Sequence, residues 1–266
     1  MCEANVYLSR EGLEELLMEG VDRIIPGDDD NIFLENVFGE RRLVKARIKE
    51  MELVRHRIVL EEIKEAAVRP HLELWLEPDT DHGHFHPGEE ARMKLFQGFN
   101  MRAHEAASME GLEAFVRING QLRELALHKH HDAMEIELGQ ELEGLAQIYV
   151  HYKGESELYA TAVMEVGHHH HRGLQPLGLP LEIVPLDYSH ARLGENYGIQ
   201  VLKDGQPLAG AEVRATFNGT QSRDYPHHLK TDGEGKCRLF LTARGNYLFS
   251  VIHDNTTSTF TLIKSF

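Results

Sequence analysis

Residues 198–217 read GIQVLKDGQPLAGAEVRATF, and this pattern predicts two strands joined by a tight turn. Apolar residues dominate both ends of the stretch, while Asp204 and Gly205 stand between them. An Asp-Gly pair adopts positive φ at little cost and is typical of β-hairpin turns. A further Asp-Gly pair at 232–233 separates later apolar runs in the same way. We therefore predict an antiparallel β-sandwich over residues 176–266.

The chain before this unit shows the same strand pattern. Residues 71–76 read HLELWL and alternate polar with apolar side chains, as a half-buried strand does. A histidine-rich polar break at 167–173 and two prolines around a glycine at 176–180 separate this part from the last unit. We predict a second antiparallel sandwich over residues 70–175. Its further strands are expected at 93–97, 114–118, 122–127, 147–152 and 159–166.

The first 65 residues predict a small β-barrel. Residues 44–48 alternate apolar and polar side chains, and four other short aliphatic runs lie between turn signals. Leu13, Leu16 and Leu17 match helical spacing, but the turns follow one another too closely for long helices elsewhere. A unit of about 60 residues is marginal alone, which favours dimerisation or fusion to another domain. The predicted chain is thus all-β, with a barrel over 1–65 followed by two sandwiches.

Composition restricts the functional classes. The 266 residues carry a formal net charge of −15, which disfavours nucleic-acid binding because phosphate recognition needs a positive field. The two cysteines, Cys2 and Cys237, make a disulfide framework unlikely and indicate a reducing compartment. The sequence shows neither a secretory signal nor an apolar run of membrane-spanning length, so we expect a cytoplasmic protein without membrane insertion. The unusual feature is a total of 18 histidines.

Four segments of the first unit carry a resemblance: MCEANVYL at 1–8, EGVDRI at 19–24, NVFGE at 36–40 and VRHRIVL at 54–60. Through them, residues 1–65 closely resemble the CooT family of nickel-binding accessory proteins in carbon monoxide dehydrogenase maturation. The resemblance implies a small β fold, a homodimer, and a nickel site on the cysteine that follows the initiator methionine, here Cys2.

Four further motifs lie in the remainder of the chain: HLELWLEP at 71–78, PLGLPLEIVP at 176–185, DGQPLAGAEV at 204–213 and TDGEG at 231–235. Through them, this part resembles a family of unknown function found beside nickel and cobalt transporters. The resemblance implies a closing domain of transthyretin-like fold. Members of that family are usually exported, whereas here the CooT-like segment stands where an export signal would be.

The position of Cys2 predicts a chelate. Loss of Met1 is expected because cysteine is small, and the new amine and the Cys2 thiolate then form a five-membered ring around a metal ion. Amine and thiolate together suit nickel or copper, and backbone nitrogens could complete the coordination. Two copies of Cys2 in a dimer would share one ion. The alternative is a buried, inert thiol, which is the interpretation we favour for Cys237.

Histidine clusters form a second group of candidate metal ligands. His82, His84 and His86 alternate along the chain, which on a strand would place three imidazoles on one side. The histidines at 128–131 and 168–171 form two looser clusters. They could bind nickel at neutral pH, when imidazole is mostly unprotonated, but a solvated polar loop is an equal alternative for them. His56 could be purely structural. The other candidate ligands are His71, His128, His130, His131, His168, His169, His170 and His171.

These patterns favour a non-enzymatic accessory protein that stores nickel or delivers it to a metalloenzyme or transporter. The ligands alone leave Co²⁺, Cu²⁺ and Zn²⁺ open, because intrinsic affinity does not set biological selectivity. One alternative is a zinc metalloenzyme built on His82, His84 and His86. Another is an RNA-binding small barrel, which the acidic charge and the lack of clustered aromatic residues oppose.

Overall fold

Nearly all of the regular structure in the chain is β-strand. The computed structural model describes residues 3–10, 13–26, 31–62, 72–80, 85–86, 88–103, 110–130, 133–140, 143–166, 174–188, 191–222 and 224–263. Apart from a short 3-10 turn, the regular elements among them are strands, which confirms the all-β class. Within these ranges, no helix is long and apolar enough to cross a membrane. The chain divides into two compact units, Met1–Val68 and Arg69–Phe266.

The first unit is a closed five-stranded barrel, as predicted. The first strand pairs antiparallel with the second and parallel with the fifth, and this parallel pairing closes the barrel. Its strands are β1 (Ala4–Arg10), β2 (Leu13–Pro26), β3 (Asn31–Asn36), β4 (Arg41–Glu52) and β5 (Arg57–Glu62), with a 3-10 turn at Leu53–Arg55 before β5.

Strand β2 settles the ambiguity between helix and strand in the barrel. Met18 is buried in the core while Leu16, two positions earlier, is 48% exposed, and the register of β2 against β1 shifts between these two residues. Among the described residues, the hydrophobic cluster inside the barrel consists of valine, leucine, isoleucine, alanine and methionine, and the barrel also buries the polar side chains of Ser9 and Asn36. Gly20 adopts φ +60° near a register shift, which lets β2 bend around the barrel while it continues to Pro26.

The second unit contains seventeen strands among its described residues, which form three sheets. They are β6 (Glu73–Pro78), β7 (Ala91–Phe99), β8 (Arg102–Ala103), β9 (Leu112–Ile118), β10 (Gln121–Leu125), β11 (Leu127–His130), β12 (Ala133–Gly139), β13 (Gly144–Lys153), β14 (Glu157–Val166), β15 (Leu181–Pro185), β16 (Asn196–Lys203), β17 (Gln206–Pro207), β18 (Glu212–Phe217), β19 (His227–Lys230), β20 (Lys236–Phe240), β21 (Tyr247–His253) and β22 (Thr256–Leu262).

One eight-stranded sheet runs through the whole second unit. Its order is β10-β9-β13-β14-β22-β21-β18-β19, and its central pair, β14 with β22, is parallel. A sheet with the order β11-β12-β7-β6, to which β8 is added, and a smaller sheet of β15, β16, β17 and β20 complete the unit. The chain therefore forms sandwiches, as expected, but the two sandwiches share a sheet.

The predicted boundary at 175/176 separates two hydrophobic cores rather than two separate sheets. One core draws almost entirely on residues 74–164, with Ile263 added from the end of the chain. The other draws on residues 181–262, with Val163 added from β14. Because β14 and β22 join the two halves by backbone hydrogen bonds, residues 69–266 form a single compact unit. The transthyretin-like topology of the second half stays a prediction.

Two local predictions are corrected by the pairing. The run at 122–127 was expected as one strand, but Ala126 separates β10 from β11, which lie in different sheets. The Asp204-Gly205 turn has φ of 49° and 75°, as an Asp-Gly hairpin turn requires. It joins β16 only to the two-residue strand β17, because the predicted partner, β18, pairs with β19 and β21 instead.

Candidate metal-binding sites

Cys2, the principal predicted ligand, lies outside the described residues, but the chain that follows it is held in a defined way. Glu3 leads directly into β1, and the main-chain carbonyl of Glu3 lies 2.9 Å from Nδ1 of His56. The main-chain N–H of Asn5 donates to the carbonyl oxygen of His56 at 2.8 Å. His56 therefore contacts the start of the first strand twice, once through its ring and once through its backbone.

The backbone of His56 adopts a conformation that is uncommon for residues other than glycine, although His is enriched in it relative to most of them. Its φ is +51°, in the left-handed region. It occupies the position between the 3-10 turn at Leu53–Arg55 and β5, where the chain reverses after β4. This reversal aims the imidazole back at β1 rather than out along the turn.

A second turn also approaches the start of β1. The amide of Gly20 donates to Oδ1 of Asn5 at 3.2 Å, and the amide of Val37 donates to the carbonyl of Gly20 at 3.0 Å. A Cβ at Gly20 would lie 3.9 Å from the ring of Phe38 and 3.9 Å from the carboxylate of Glu3. Phe38 is 82% exposed, so an apolar surface adjoins the strand that Cys2 precedes.

The cluster at 82–86 is described only in part. His82 and His84 lie outside the described residues, so the three-imidazole arrangement stays a prediction. His86 is exposed, and its backbone amide donates to the Glu89 carboxylate at 2.9 Å. Phe85, directly before it, is buried in the first core of the second unit and fixes this point of the loop.

The other predicted histidine ligands are scattered along the second unit. His128 is exposed on β11 and lies opposite Glu135 of β12, while the backbone of His130 lies opposite Ala133. Among the described residues, no group of three His, Cys, Asp or Glu side chains is close enough to hold a metal ion. The predicted ligands outside these residues are His71, His131, His168, His169, His170 and His171.

Cys237 is a core residue, as expected. It lies on β20 and is buried in the second core. Burial raises the pKa of its thiol to about 11, so the thiol stays protonated at neutral pH. A protonated, buried thiol is a poor metal ligand and a poor nucleophile.

Two family models match the chain, and together they cover most of it. Residues 73–255 match the model described as domain of unknown function DUF4198, which covers more than half of the chain. The chain belongs to the DUF4198 family. Residues 1–61, the CooT segment, match the model described as CO dehydrogenase accessory protein CooT. Both predicted resemblances are thereby confirmed. No curated protein matches the chain.

The chain is similar to several solved structures. A structure assigned to CooT from Carboxydothermus hydrogenoformans is 47% identical, covering 23% of this chain and 98% of that one, with a TM-score of 0.22. Fibronectin type III-like modules of CbhA from Clostridium thermocellum match at 8% identity over 71% of this chain and 94% of theirs, with a TM-score of 0.22. The D0-D1 domain of intimin matches at 14% identity over 71% and 97%, with a TM-score of 0.23.

The DUF4198 part contains a buried charged cluster that sequence patterns did not indicate. Glu73 of β6 is fully buried, and it accepts hydrogen bonds from Tyr225, from Ser250, from Arg214 at 3.0 Å and from the amide of Asn100 at 3.2 Å. Burial raises the pKa of this carboxyl, and the four donors oppose that rise. Alternation along HLELWL predicted that Glu73 faces outward, but both faces of β6 are covered.

One half-buried imidazole was also missed. His151 of β13 stacks on Tyr159 with ring centroids 4.4 Å apart, and its Nδ1 lies 3.9 Å from the Glu113 carboxylate. Burial lowers the pKa of His151, which favours the neutral ring. His151 is a single histidine within an alternating strand. Such a pattern does not distinguish a functional histidine from an ordinary one in the sequence. Its packing on Tyr159 explains it as a component of the sheet surface.

Proposed function

We propose that the chain is a carbon monoxide dehydrogenase accessory protein that binds nickel through Cys2 and stores it or delivers it to a metalloenzyme or transporter. The observation that carries this proposal is the match of residues 1–61 to the CooT family, with a cysteine retained directly after the initiator methionine. Loss of Met1 would leave an amine and a thiolate on one residue. That donor pair suits Ni²⁺ in tetragonal geometry.

The surroundings of the first strand support a site at this position. Residues Glu3 and Asn5 are tied to the barrel through His56, which gives the preceding residue a short, fixed anchor. Restricting the chain next to a ligand lowers the entropy lost when the metal binds. Phe38, which adjoins Gly20, and Val54, two positions before His56, are both exposed and would offer apolar surface to a second copy of the chain. We propose a homodimer in which two Cys2 residues share one ion.

The histidine clusters of the DUF4198 part would serve as a weaker reservoir. Imidazoles on loops take up nickel reversibly near neutral pH and release it as they protonate. The thiolate site would bind more tightly because it combines a chelate ring with a soft ligand. In this proposal the protein acts in the cytoplasm and catalyses no reaction of its own.

The decisive experiment is a nickel titration of the full chain with its authentic N-terminus and any purification tag at the C-terminus. A competing chelator of known affinity isolates the tight site from the weaker histidines. We expect Cys2→Ser to lose the tight site, lowering its affinity by at least about tenfold, because the thiolate is replaced by a neutral hydroxyl. Light scattering with and without nickel tests for a dimer holding one tightly bound ion.

A matched control uses the other thiol. Cys237→Ala removes a buried cysteine far from the chain start in sequence, and it should keep the tight site with unchanged affinity. Tight binding that persists in Cys2→Ser contradicts the proposal. Loss of binding in both variants, with both folded by circular dichroism, contradicts the assignment to Cys2 as well.

A further inference from the structure

Strand β19 is the outermost strand at one side of the eight-stranded sheet. It has four residues and, within the described part of the chain, pairs only with β18, whereas β21 is paired on both sides. Short edge strands with few buried contacts belong to the parts of a fold that open most readily. Leu229 is the one apolar side chain of β19, and it packs partly buried against the second core. The attachment of β19 therefore depends on few side chains.

His227 is the second side chain of β19 that faces this core. It lies opposite Ala215 of β18, which is a core residue, and its ring centroid is 6.4 Å from that of Phe217. The Nε2 atom of His227 is buried and has no hydrogen-bond partner among the described residues. Placing a charge on a buried and unpartnered nitrogen is costly, whereas a neutral ring is tolerated there. The closed strand therefore favours the neutral form of this histidine.

The charged groups around His227 do not offset this preference. Burial is the main cause that lowers its pKa, and the neighbouring His228 lowers that pKa further. Cys237 of β20, which packs beside β19, faces the same core, but its pKa of about 11 keeps its thiol uncharged. The charged side chains of β20 alternate with Cys237 and point away from the core; they are Lys236 and Arg238. Those of β18 and β19 lie on the face of the sheet opposite His227; they are Glu212, Arg214, His228 and Lys230.

Both ends of β19 are fastened by residues outside the strand. Before it, the Tyr225 hydroxyl donates to the buried carboxylate of Glu73. After it, the Thr231 hydroxyl donates to the carbonyl of Leu208 at 2.7 Å and accepts from the amide of Ala211 at 2.8 Å. These two anchors contain no imidazole. The segment between them could therefore open and close while its ends stay in place.

We propose that β19 is a pH-sensitive edge strand that opens when His227 takes up a proton. The closed strand holds the imidazole neutral, while the open strand gives it to water, where it is protonated in the ordinary way. The closed strand is thus fully stable above about pH 6.5, the ordinary pKa of histidine, and loses stability as the pH falls below that value. Opening would leave backbone groups of β18 unpaired and create a new sheet edge. The inference is independent of the proposed nickel site at Cys2.

Backbone hydrogen exchange of the full chain measures this opening. Exchange is followed by mass spectrometry at about pH 7.5 and about pH 5.5, with rates corrected for the intrinsic effect of pH on amide exchange. If only the open strand binds the proton, the protection of residues 226–231 should fall by up to about tenfold over this range. The protection of β21 should stay unchanged, since it is paired on both sides.

The informative variant is His227→Phe. Phenylalanine keeps an aromatic ring against Phe217 and favours strands, but it has no group that titrates in this range. We expect the protection of residues 226–231 to become independent of pH in this variant. His227→Gln, which also lacks the titration, serves as a second variant if the larger ring disturbs the core. His228→Gln removes the exposed neighbour and is the matched control, which should keep most of the pH response.

A proton titration of His227 followed by nuclear magnetic resonance gives a second readout. We expect its pKa below the ordinary value of histidine, and a pKa at or above that value overturns the proposal. Equal protection of residues 226–231 at both pH values in the native chain also overturns it. A pH response that persists in both His227 variants would assign the response to another group, such as Glu73 beneath Tyr225, and would likewise contradict the role of His227.

Discussion

At the scale of single residues, Glu73 shows how a charge can be kept in the interior of a β protein. Its side chain is completely buried, yet donors from Tyr225, Ser250, Arg214 and the backbone of Asn100 surround its two oxygens. Arg214 is mostly buried as well and stacks over the ring of Tyr225 with 4.8 Å to the centroid. The cluster connects β6 to β18 and β21 through side chains, so its role is structural.

We expect Glu73→Ala to destabilise the second unit strongly. Removing the carboxylate leaves the Arg214 guanidinium with no ionic partner and three other donors without an acceptor, at a cost of about 2–4 kcal/mol. Urea unfolding followed by Trp75 fluorescence measures the change. Glu113→Ala, which removes an ion pair with the exposed Lys153, should cost less than about 1 kcal/mol. Equal losses in the two variants would contradict a special role for the buried cluster.

At the scale of elements, the turn between β19 and β20 depends on one of its two glycines. Gly235 adopts φ +71°, and a Cβ there would lie 2.7 Å from the carbonyl oxygen of Val201 and 2.9 Å from the amide of Leu208. Gly233, two residues earlier, has no atom within 4 Å of its Cβ position and no positive φ. The close approach of the turn to β16 is therefore possible only because Gly235 lacks a side chain.

This contrast gives a paired prediction. Gly235→Ala should lower the free energy of unfolding by more than about 1 kcal/mol, because the backbone must shift and φ becomes strained. Gly233→Ala should stay within about 0.5 kcal/mol of the native protein, as most exposed substitutions do. Thermal unfolding of the two variants side by side measures both. A Gly235→Ala protein as stable as Gly233→Ala would show that the turn can relax away from β16.

At the scale of the whole second unit, the parallel pairing of β14 with β22 couples two hydrophobic cores. Six residues of β14 are in register with β22, from Glu157 opposite Thr256 to Ala162 opposite Thr261. Val163 and Ile263 each contribute to the core of the opposite half. Neither half completes its core from its own residues, which favours cooperative unfolding.

Cooperativity of the two cores is testable with the single tryptophan of the chain. Trp75 lies on β6, beside the first core, and is 1% exposed, so its fluorescence reports loss of packing there. Ile199→Ala creates a cavity in the second core and should cost roughly 2–5 kcal/mol. We expect the midpoint of the Trp75 fluorescence transition to move to a lower denaturant concentration in this variant. A Trp75 transition that stays in place while another probe shifts would mean that the cores unfold independently.

Local patterns in the sequence determined the strands, the turns and the existence of a barrel followed by sandwiches. Alternation of apolar residues and Asp-Gly pairs act over a few residues, so they can be recognised without a structure. The same holds for the CooT resemblance and for Cys2, whose proposed role as a ligand is argued from its place in the chain.

Only the tertiary structure decided which strands share a sheet and which polar residues are buried. The pairing of β14 with β22 joins residues about a hundred positions apart, and no local pattern encodes such a partner. Glu73 follows the alternation of an exposed position, yet a second layer covers it. His56 has the same dependence: its ring reaches Glu3 across 53 positions because barrel closure brings β5 beside β1. Side-chain chemistry is local, but contacts between distant residues depend on how the sheets close and pack.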